Sequence, residues 1–444
     1  MKLLHIKRLL YLELLLAFVL ATPSQAIVLH VQDVIEMAIQ NNPDIGIVKH
    51  LYGAQKQRIK TAKSGYYPKV DITTESGWER TNDRASRGRS GRTDSRGSVD
   101  YWSTTSSIDL KQSIYNGQRI SHGVAAEKEK LQASQYRIDE AIDLLALNAI
   151  EVYLDVYTSR RVVNLAKNNE ALHKIFLSQM KERYDYKIGT EGDVEQARSR
   201  LYRSQEKIAH AKKDVKKALD KYERIVGVPL DVNGKLDTNI KVEMEQDLID
   251  VIDIANDQNP SVLRAKYEMN SEEYKVKSSQ SKFLPEVDFK IGLDRNENNG
   301  GIRGPDNTAN ALISFKYNLY NGGADLARKR KSIAELNEKK ERYRQKVMDI
   351  ENVINGYWYD YNLAIARADL LEKEVESLQI VVKSYQEEFT LGKRSLLDVL
   401  DSQNELYLIN VDLVKTKSDI IFNKLRIIWG RGNLLQELNL QAKL

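Results

Sequence analysis

The stretch from Asn321 to Leu391 constrains this chain more than any other. Over about seventy residues it holds no proline, and glycine occurs only at Gly322 and Gly323 near the start and at Gly356 inside. Its apolar positions step by three and four: Val347, Ile350, Ile354, Tyr357, Tyr361, Ala364, Ala368, Leu371, Val375, Leu378, Val382, Tyr385, Phe389. A heptad seam of this length predicts one continuous helix packed lengthwise against other helices. At about 1.5 Å per residue the helix is roughly 105 Å long. An ordinary globular helix is about a dozen residues, so this one has a distance to span.

Ahead of it the period changes. From Ala311 to Tyr320, Ile313, Phe315, Tyr317 and Leu319 alternate with Ser314, Lys316 and Asn318, as in a strand with one apolar and one polar face. The same succession of strand and long helix occurs earlier in the chain. Pro68 opens a strand in which Val70, Ile72, Thr74, Ser76 and Trp78 share a face, and a second strand lies around Ser107 to Tyr115. From Gln118 the helical period takes over through Ile138, Ile142, Leu145, Ala149, Val152 and Val156, and the helix can run to about Lys187. Gly189 is read as its break, with Thr190 to Asp193 capping a further helix that ends near Val226.

The second half replays this order. Asn259-Pro260 matches Asn42-Pro43, and Phe283 to Phe289 matches Tyr66 to Ile72, both at an offset of 217 residues. Tyr320-Asn321-Gly322 matches Tyr115-Asn116-Gly117. Strands are expected at Glu286 to Asp294 and Ala311 to Tyr320, joined by a loop from Asn298 to Asn310. Gly392 then breaks the long helix, and Ser395 to Asp398 caps the last one. The chain reads as a tandem duplication, 27–232 and 240–444.

Residues 1–26 stand apart. Lys2, Lys7 and Arg8 precede an apolar run from Leu9 to Ala21, and Thr22-Pro23-Ser24-Gln25-Ala26 ends in a small-x-small site, the pattern of a secretory signal peptide. Glu13 inside the run is an irregularity, and it argues against a membrane anchor. After Ala26 no apolar stretch approaches transmembrane-helix length, so any bilayer crossing requires a closed β-barrel. The chain has 444 residues, 30% of them charged, a net charge of +5 and no cysteine. Neither disorder nor a nucleic-acid-binding polycation fits that balance. The arginine tract from Arg80 to Asp100 has no interleaved aromatics and lies between two strands, which reads as a solvated hairpin loop rather than an RNA-binding segment. Histidines at His50, His122, His173 and His210 lack metal-ligand spacing, and no phosphate loop or nucleophile motif appears. The expectation is no enzyme, no cofactor and no metal.

Four one-sided strands cannot close a barrel alone, and an open edge in lipid leaves backbone groups unsatisfied. Three copies would supply twelve strands. The alternative, a soluble coiled-coil scaffold, leaves the signal peptide and the dyad alternation unexplained.

The signal peptide, the duplicated strand-loop-strand-helix unit, the two Tyr-Asn-Gly lead-ins and the stretch Leu391-Gly392-Lys393-Arg394-Ser395-Leu396-Leu397-Asp398-Val399-Leu400-Asp401 resemble the TolC family of outer-membrane exit ducts. The resemblance implies a mainly α fold with a β-barrel part: a homotrimer whose twelve-stranded barrel sits in outer-membrane lipid and continues into a periplasmic helical tunnel. It implies docking to a periplasmic adaptor and an inner-membrane ABC transporter or proton-driven pump. It also places the closed end of the tunnel at the two helix-turn-helix junctions. There Arg394 matches a basic residue that ties helices together, Asp398 and Asp401 match aspartates around the aperture, and Asp193 matches the acidic residue of the first junction. Phe389 stands where a tyrosine able to hydrogen-bond is expected. The first junction reads two residues shorter from Gly189 to Asp193 than the second from Gly392 to Asp398. Asp193 and Asp398 also read as ordinary helix caps, a role compatible with the aperture. The arginine-rich loop and the run Gly192 to Arg198 resemble members serving type I secretion of large adhesins, with small-molecule efflux as the alternative cargo.

Overall fold

The computed structural model describes residues 28–82, 98–230, 235–238, 240, 242 and 247–440. The expected signal peptide and most of the arginine-rich tract, 83–97, lie outside the described residues. In chain order the elements are β1 (Val28–Leu29), α1 (Val31–Asn41), α2 (Pro43–Lys63), β2 (Lys69–Thr81), β3 (Val99–Tyr115), α3 (Arg119–Asp185) and α4 (Glu191–Val226). They continue with β4 (Lys235–Leu236), α5 (Leu248–Gln258), α6 (Pro260–Gln280), β5 (Glu286–Glu297), β6 (Pro305–Lys316), α7 (Ala324–Thr390), α8 (Leu396–Arg431) and α9 (Leu434–Glu437). The two long helices α3 and α7 have 67 residues each, and the two that follow them, α4 and α8, have 36 each.

The chain divides into two compact units. One is formed by residues 46–140 and 260–350 and holds the sheet; the other is formed by the remaining helical segments. In the first unit β2, β3, β5 and β6 make one antiparallel sheet in that order. Registers Ile72↔Ile108, Ile108↔Leu293 and Leu293↔Ala309, with Val70↔Leu110, Leu110↔Ile291 and Ile291↔Ala311 beside them, put most of the apolar residues of the four strands on one face, Leu312 being an exception. That face is bare: Val70, Ile72, Trp78, Trp102, Ile108, Leu293, Ile313 and Phe315 are exposed. Towards the hairpin ends the same face carries hydroxyls that bond each other across the strands, Ser76 Oγ to Thr104 Oγ1 at 2.9 Å, and Trp102 Nε1 donates to Ser76 Oγ at 2.8 Å. On the other face the Lys111 ammonium meets Asp288 at 2.9 Å.

Three strands are longer than their alternation suggested. β3 begins at Val99 rather than Ser107, because Tyr101 to Thr105 pair by backbone against Glu79 to Glu75 whatever their side chains. β5 and β6 extend to Glu297 and back to Pro305, so the loop expected at 298–310 is confined to 298–304. β6 ends at Lys316, four residues before the expected Tyr320; the alternating Tyr317 to Tyr320 lie beyond the ladder.

The helices rise from the sheet through the Tyr-Asn-Gly sequences. Gly117 has φ +60, and a Cβ there would come within 2.8 Å of the Ser281 carbonyl oxygen, so no other residue fits. The expected seams are the buried stripes: Ile138, Ile142, Leu145, Ala149, Val152 and Val156 on α3, and Ile350, Ile354, Ala364, Ala368, Leu371, Val375 and Val382 on α7, all below 9% exposure. Each buried Ile, Leu or Val contributes about 1.5–3 kcal/mol to this packing.

In the helical unit the two Asn-Pro pairs do more than break helices. Asn42 Nδ2 donates to the Ile225 carbonyl at the end of α4 (3.0 Å), and Asn259 Nδ2 donates to the Gly430 carbonyl near the end of α8 (2.8 Å). Each thereby satisfies a carbonyl that a helix end leaves unpaired. Among the described residues no helix is long and apolar enough to cross a membrane.

Candidate functional site at the helical hairpin tips

The residues singled out from the sequence gather where α3 turns into α4 and α7 turns into α8. Phe176 and Met180 of α3, Val194 and Ala197 of α4, and Leu396, Val399 and Leu400 of α8 form one buried apolar cluster, with Leu177, Tyr385 and Phe389 packed against it. The two tips are therefore held together by ordinary burial.

Both turns use the same device. At the second, Gly392 adopts φ +72, its amide bonds the Phe389 carbonyl, and the Lys393 amide bonds the Glu388 carbonyl (2.9 Å). At the first the left-handed residue is Lys187, with φ +57, not Gly189; the Ile188 and Gly189 amides both bond the Arg183 carbonyl (2.9 and 3.1 Å). The expected break at Gly189 thus lies two residues too late. Gly189 serves by lacking a side chain, since a Cβ would sit 3.3 Å from Arg183 Cβ. Matched by conformation, Lys187 to Asp193 and Gly392 to Asp398 have equal length, and the shortened first junction read from the sequence does not exist.

The caps differ. Thr190 and Asp193 form a reciprocal capping box: Asp193 N donates to Thr190 Oγ1 (3.2 Å) and Thr190 N to Asp193 Oδ2 (3.1 Å). At α8 only one arm forms, Asp398 N to Ser395 Oγ (3.2 Å). The Asp398 carboxylate turns instead to Arg394, 3.8 Å away.

Arg394 is the most connected side chain of the second tip. Its Nε donates to Glu388 (2.8 Å), and its guanidinium lies 4.1 Å from the centre of the Tyr385 ring. The bond to Glu388 raises its pKa from the ordinary arginine value. Phe389, without a hydroxyl, presents its ring to the Arg183 guanidinium of α3 at 4.9 Å. In place of the hydrogen bond that a tyrosine there could make, a cation–π contact links the hairpins.

Asp401 is not a free carboxylate. Arg200 of α4 donates to it at 2.6 Å, with the arginine side chain 21% and the aspartate 56% exposed. Further along the same helix pair, Lys207 bonds the Asn404 carboxamide and lies over the Tyr407 ring (4.6 Å). Behind this seam His173 is buried with its Nδ1 unpartnered, and both amide atoms of Gln403 are likewise unpartnered among the described residues. Burial, reinforced by the charges of Lys207 and Arg200, pushes the His173 pKa down to about 4, so the ring is neutral near pH 7.

Sequence reading found the caps and missed Arg183, Arg200, Lys187 and His173. The caps are local patterns of four residues; the others act across 201 residues of chain, as Arg200 and Asp401 do, or break a glycine rule. Chemically the tips offer a buried apolar cluster flanked by the ion pairs of Arg200 with Asp401 and of Arg394 with Glu388 and Asp398. Among the described residues there is no group of metal-ligating side chains.

Comparison with known proteins agrees with this architecture. Outer membrane efflux protein BepC of Brucella suis is 24% identical over 408 residues, covering 91% of this chain and 86% of that protein. Alkaline protease secretion protein AprF of Pseudomonas aeruginosa is 21% identical, covering 96% and 89%. Among solved structures, the channel-forming protein CusC superposes with a TM-score of 0.78 at 14% identity, covering 92% of this chain and 91% of that one, which establishes the shared fold. Residues 34–228 and 251–431 match the outer membrane efflux protein family, and the chain belongs to that family of outer-membrane channel proteins.

Proposed function

We propose that this protein is the outer-membrane duct of a protein-export machine, working as a homotrimer. The observation that carries the reading is the sheet. Its outer strands β2 and β6 each have a free edge, and its apolar face is bare over four strands. In lipid such a sheet is stable only if closed by copies of itself, and three copies give a twelve-stranded barrel. The chain is then two repeats, 27–232 and 240–444, behind a leader at 1–26. Substrate reaches the duct from a periplasmic adaptor and an inner-membrane ABC transporter.

The hairpin tips would form the periplasmic gate. Asp193, Asp398 and Asp401 lie at its mouth, Arg394 and Phe389 hold its helices, and the turns at Lys187–Gly189 and Gly392 set its geometry. For cargo, the likeness to AprF, named for alkaline protease secretion, over 96% of this chain supports a protein substrate. The likeness to BepC, named an efflux protein, favours small molecules as the second reading.

Two measurements test this. In detergent the mature protein runs at three times the protomer mass; a stable monomer removes the barrel argument. Deleting the gene abolishes secretion of a large protein. If the deletion strain secretes normally but becomes sensitive to dyes and detergents, efflux is the assignment.

A further inference from the structure

The start of α7 carries four consecutive cations, Arg328-Lys329-Arg330-Lys331, eight residues after the exposed Tyr320. The duplication supplies an internal control. Counted from each Tyr-Asn-Gly, the same positions at the start of α3 are Gly123-Val124-Ala125-Ala126, of which Val124 and Ala126 are buried. The fold of a strand pair leading into a long helix therefore does not require the cations. Something outside the helix packing accounts for them.

Their setting is specific. Just before α7 the chain presents Phe315, Tyr317, Leu319 and Tyr320 to solvent, the last two more than 80% exposed. Aromatic residues at the end of an apolar strand face mark a membrane–water interface. The ends Thr81/Val99 and Glu297/Pro305 lie together at the far end of the sheet, and with the helical tips as the periplasmic gate, as proposed above, the helix end is the periplasmic side. Positions 328 to 331 lie roughly 6–11 Å along the helix from its first residue, Ala324, at about 1.5 Å per residue. The polar layer of a bilayer is about 5–8 Å deep on each side. Long cationic side chains starting just beyond an aromatic tier can reach back to that layer while their stems cover apolar surface.

Two of the four are partly compensated and two are not. Arg328 is held by Asp325 (2.7 Å), which Asn318 also bonds, and Lys331 lies 3.5 Å from Glu335. No carboxylate lies within ion-pair distance of Lys329 or Arg330 among the described residues; Lys329 sits above the Phe283 ring at 6.0 Å, and Arg330 is exposed. Uncompensated cations at headgroup depth match a phosphate diester that carries a net negative charge.

We propose that the segment Arg328 to Lys331 is a binding surface for anionic phospholipid headgroups of the periplasmic leaflet, repeated three times around the duct. The inference rests on the barrel reading above. It adds a lipid preference that a barrel as such does not need.

The test uses the intact trimer reconstituted in phosphatidylcholine vesicles, with spin-labelled phosphatidylglycerol or spin-labelled phosphatidylcholine as the probe of protein-associated lipid. A trimer mass and single-channel conductance, measured on the same preparations, report the barrel reading separately. The wild type is expected to prefer phosphatidylglycerol by about fivefold or more at low salt, since each basic residue near an anionic surface is worth about a factor of five. The preference should collapse in 1 M salt. In K329Q/R330Q it should fall most of the way to unity, and in R328Q/K329Q/R330Q/K331Q it should vanish, with mass and conductance unchanged. Equal preference in wild type and variants overturns the proposal, and so does the absence of any preference in the wild type. If the variants fall apart into protomers, the cations are contacts between neighbouring copies and the lipid assignment is wrong.

Discussion

The pairing of Arg200 with Asp401 makes a quantitative expectation for ion selectivity. With the pair intact, each protomer contributes no net charge at this position. Arg200→Gln would leave three bare aspartates around the axis of a trimer, and Asp401→Asn three bare arginines. For charges about 8 Å from a passing ion in water, each contributes about 0.5 kcal/mol, so three shift the cation-to-anion preference by about 3 kcal/mol before screening. A Debye length of about 8 Å at 0.15 M reduces this to about 1 kcal/mol, a factor of about six, whereas at 0.01 M, where the length is about 30 Å, roughly fiftyfold remains. Reversal potentials in planar bilayers under a KCl gradient read this ratio directly. Arg200→Gln should raise the potassium-to-chloride ratio and divalent block from the periplasmic side. Asp401→Asn should lower both, and the double variant should return near the wild type. The two partners are half-exposed or less tightly held than a buried pair, so their removal costs about 1 kcal/mol or less and leaves the trimer intact. If both single variants conduct as trimers with ratios within twofold of wild type, the pair does not lie at the constriction and the proposed gate is misplaced. If Asp401→Asn acts but Arg200→Gln does not, the aspartate is at the gate without being neutralised by Arg200.

Two further expectations concern the tips. Lys187 pays for a left-handed conformation that glycine adopts freely at the equivalent Gly392, so Lys187→Gly should stabilise the first turn by about 1 kcal/mol and slow amide exchange over residues 183–193 about fivefold; unchanged or faster exchange contradicts the assignment. His173 titrates near 6.5 when the hairpins open and near 4 when they are packed, so the packed form binds fewer protons: its stability is constant above about pH 6.5 and declines as the pH falls towards 4, by up to about 3 kcal/mol. Protease sensitivity of the tips should rise across that window in the wild type and stay flat in His173→Gln; identical profiles would locate the titration elsewhere.

How much of this was legible in the sequence depended on whether the signal was local. The seams on α3 and α7 were readable because burial repeats every three or four residues for many turns, and the residues named from the pattern are buried or half-buried. The caps at Thr190 and Ser395 were readable because donor and acceptor lie three residues apart. Strand ends were not. A ladder is built from backbone groups, so Tyr101 to Thr105 pair without alternating, while the exposed Tyr317 to Tyr320 alternate without pairing and so imitate a strand face. Nor could the bond between Arg200 and Asp401 be read, since each side chain lies beside its helix seam and nothing in either segment marks the other.

The first junction is the instructive failure. Glycine near the end of a helical period is ordinarily taken as the residue that leaves the helix in the left-handed conformation. That inference uses one property of glycine, its freedom at positive φ, and overlooks the other, the space a missing Cβ leaves. The two can be separated by where the last carbonyls are recaptured. The Arg183 carbonyl receives both the Ile188 and Gly189 amides, which folds the chain back on Arg183 and leaves 3.3 Å for any Cβ at position 189. Glycine eases that approach without itself adopting a positive φ, which lies at Lys187, the residue six before the capping aspartate, as Gly392 is six before Asp398. Position 189 then corresponds to Arg394, not to Gly392. A side chain that bonds Glu388 and covers Tyr385 at one tip is therefore replaced by no side chain at the other. It follows that the two tips cannot be held in the same way: the second is fastened by its own arginine, and the first by the arginine of its helix, Arg183, reaching to Phe389 on the second.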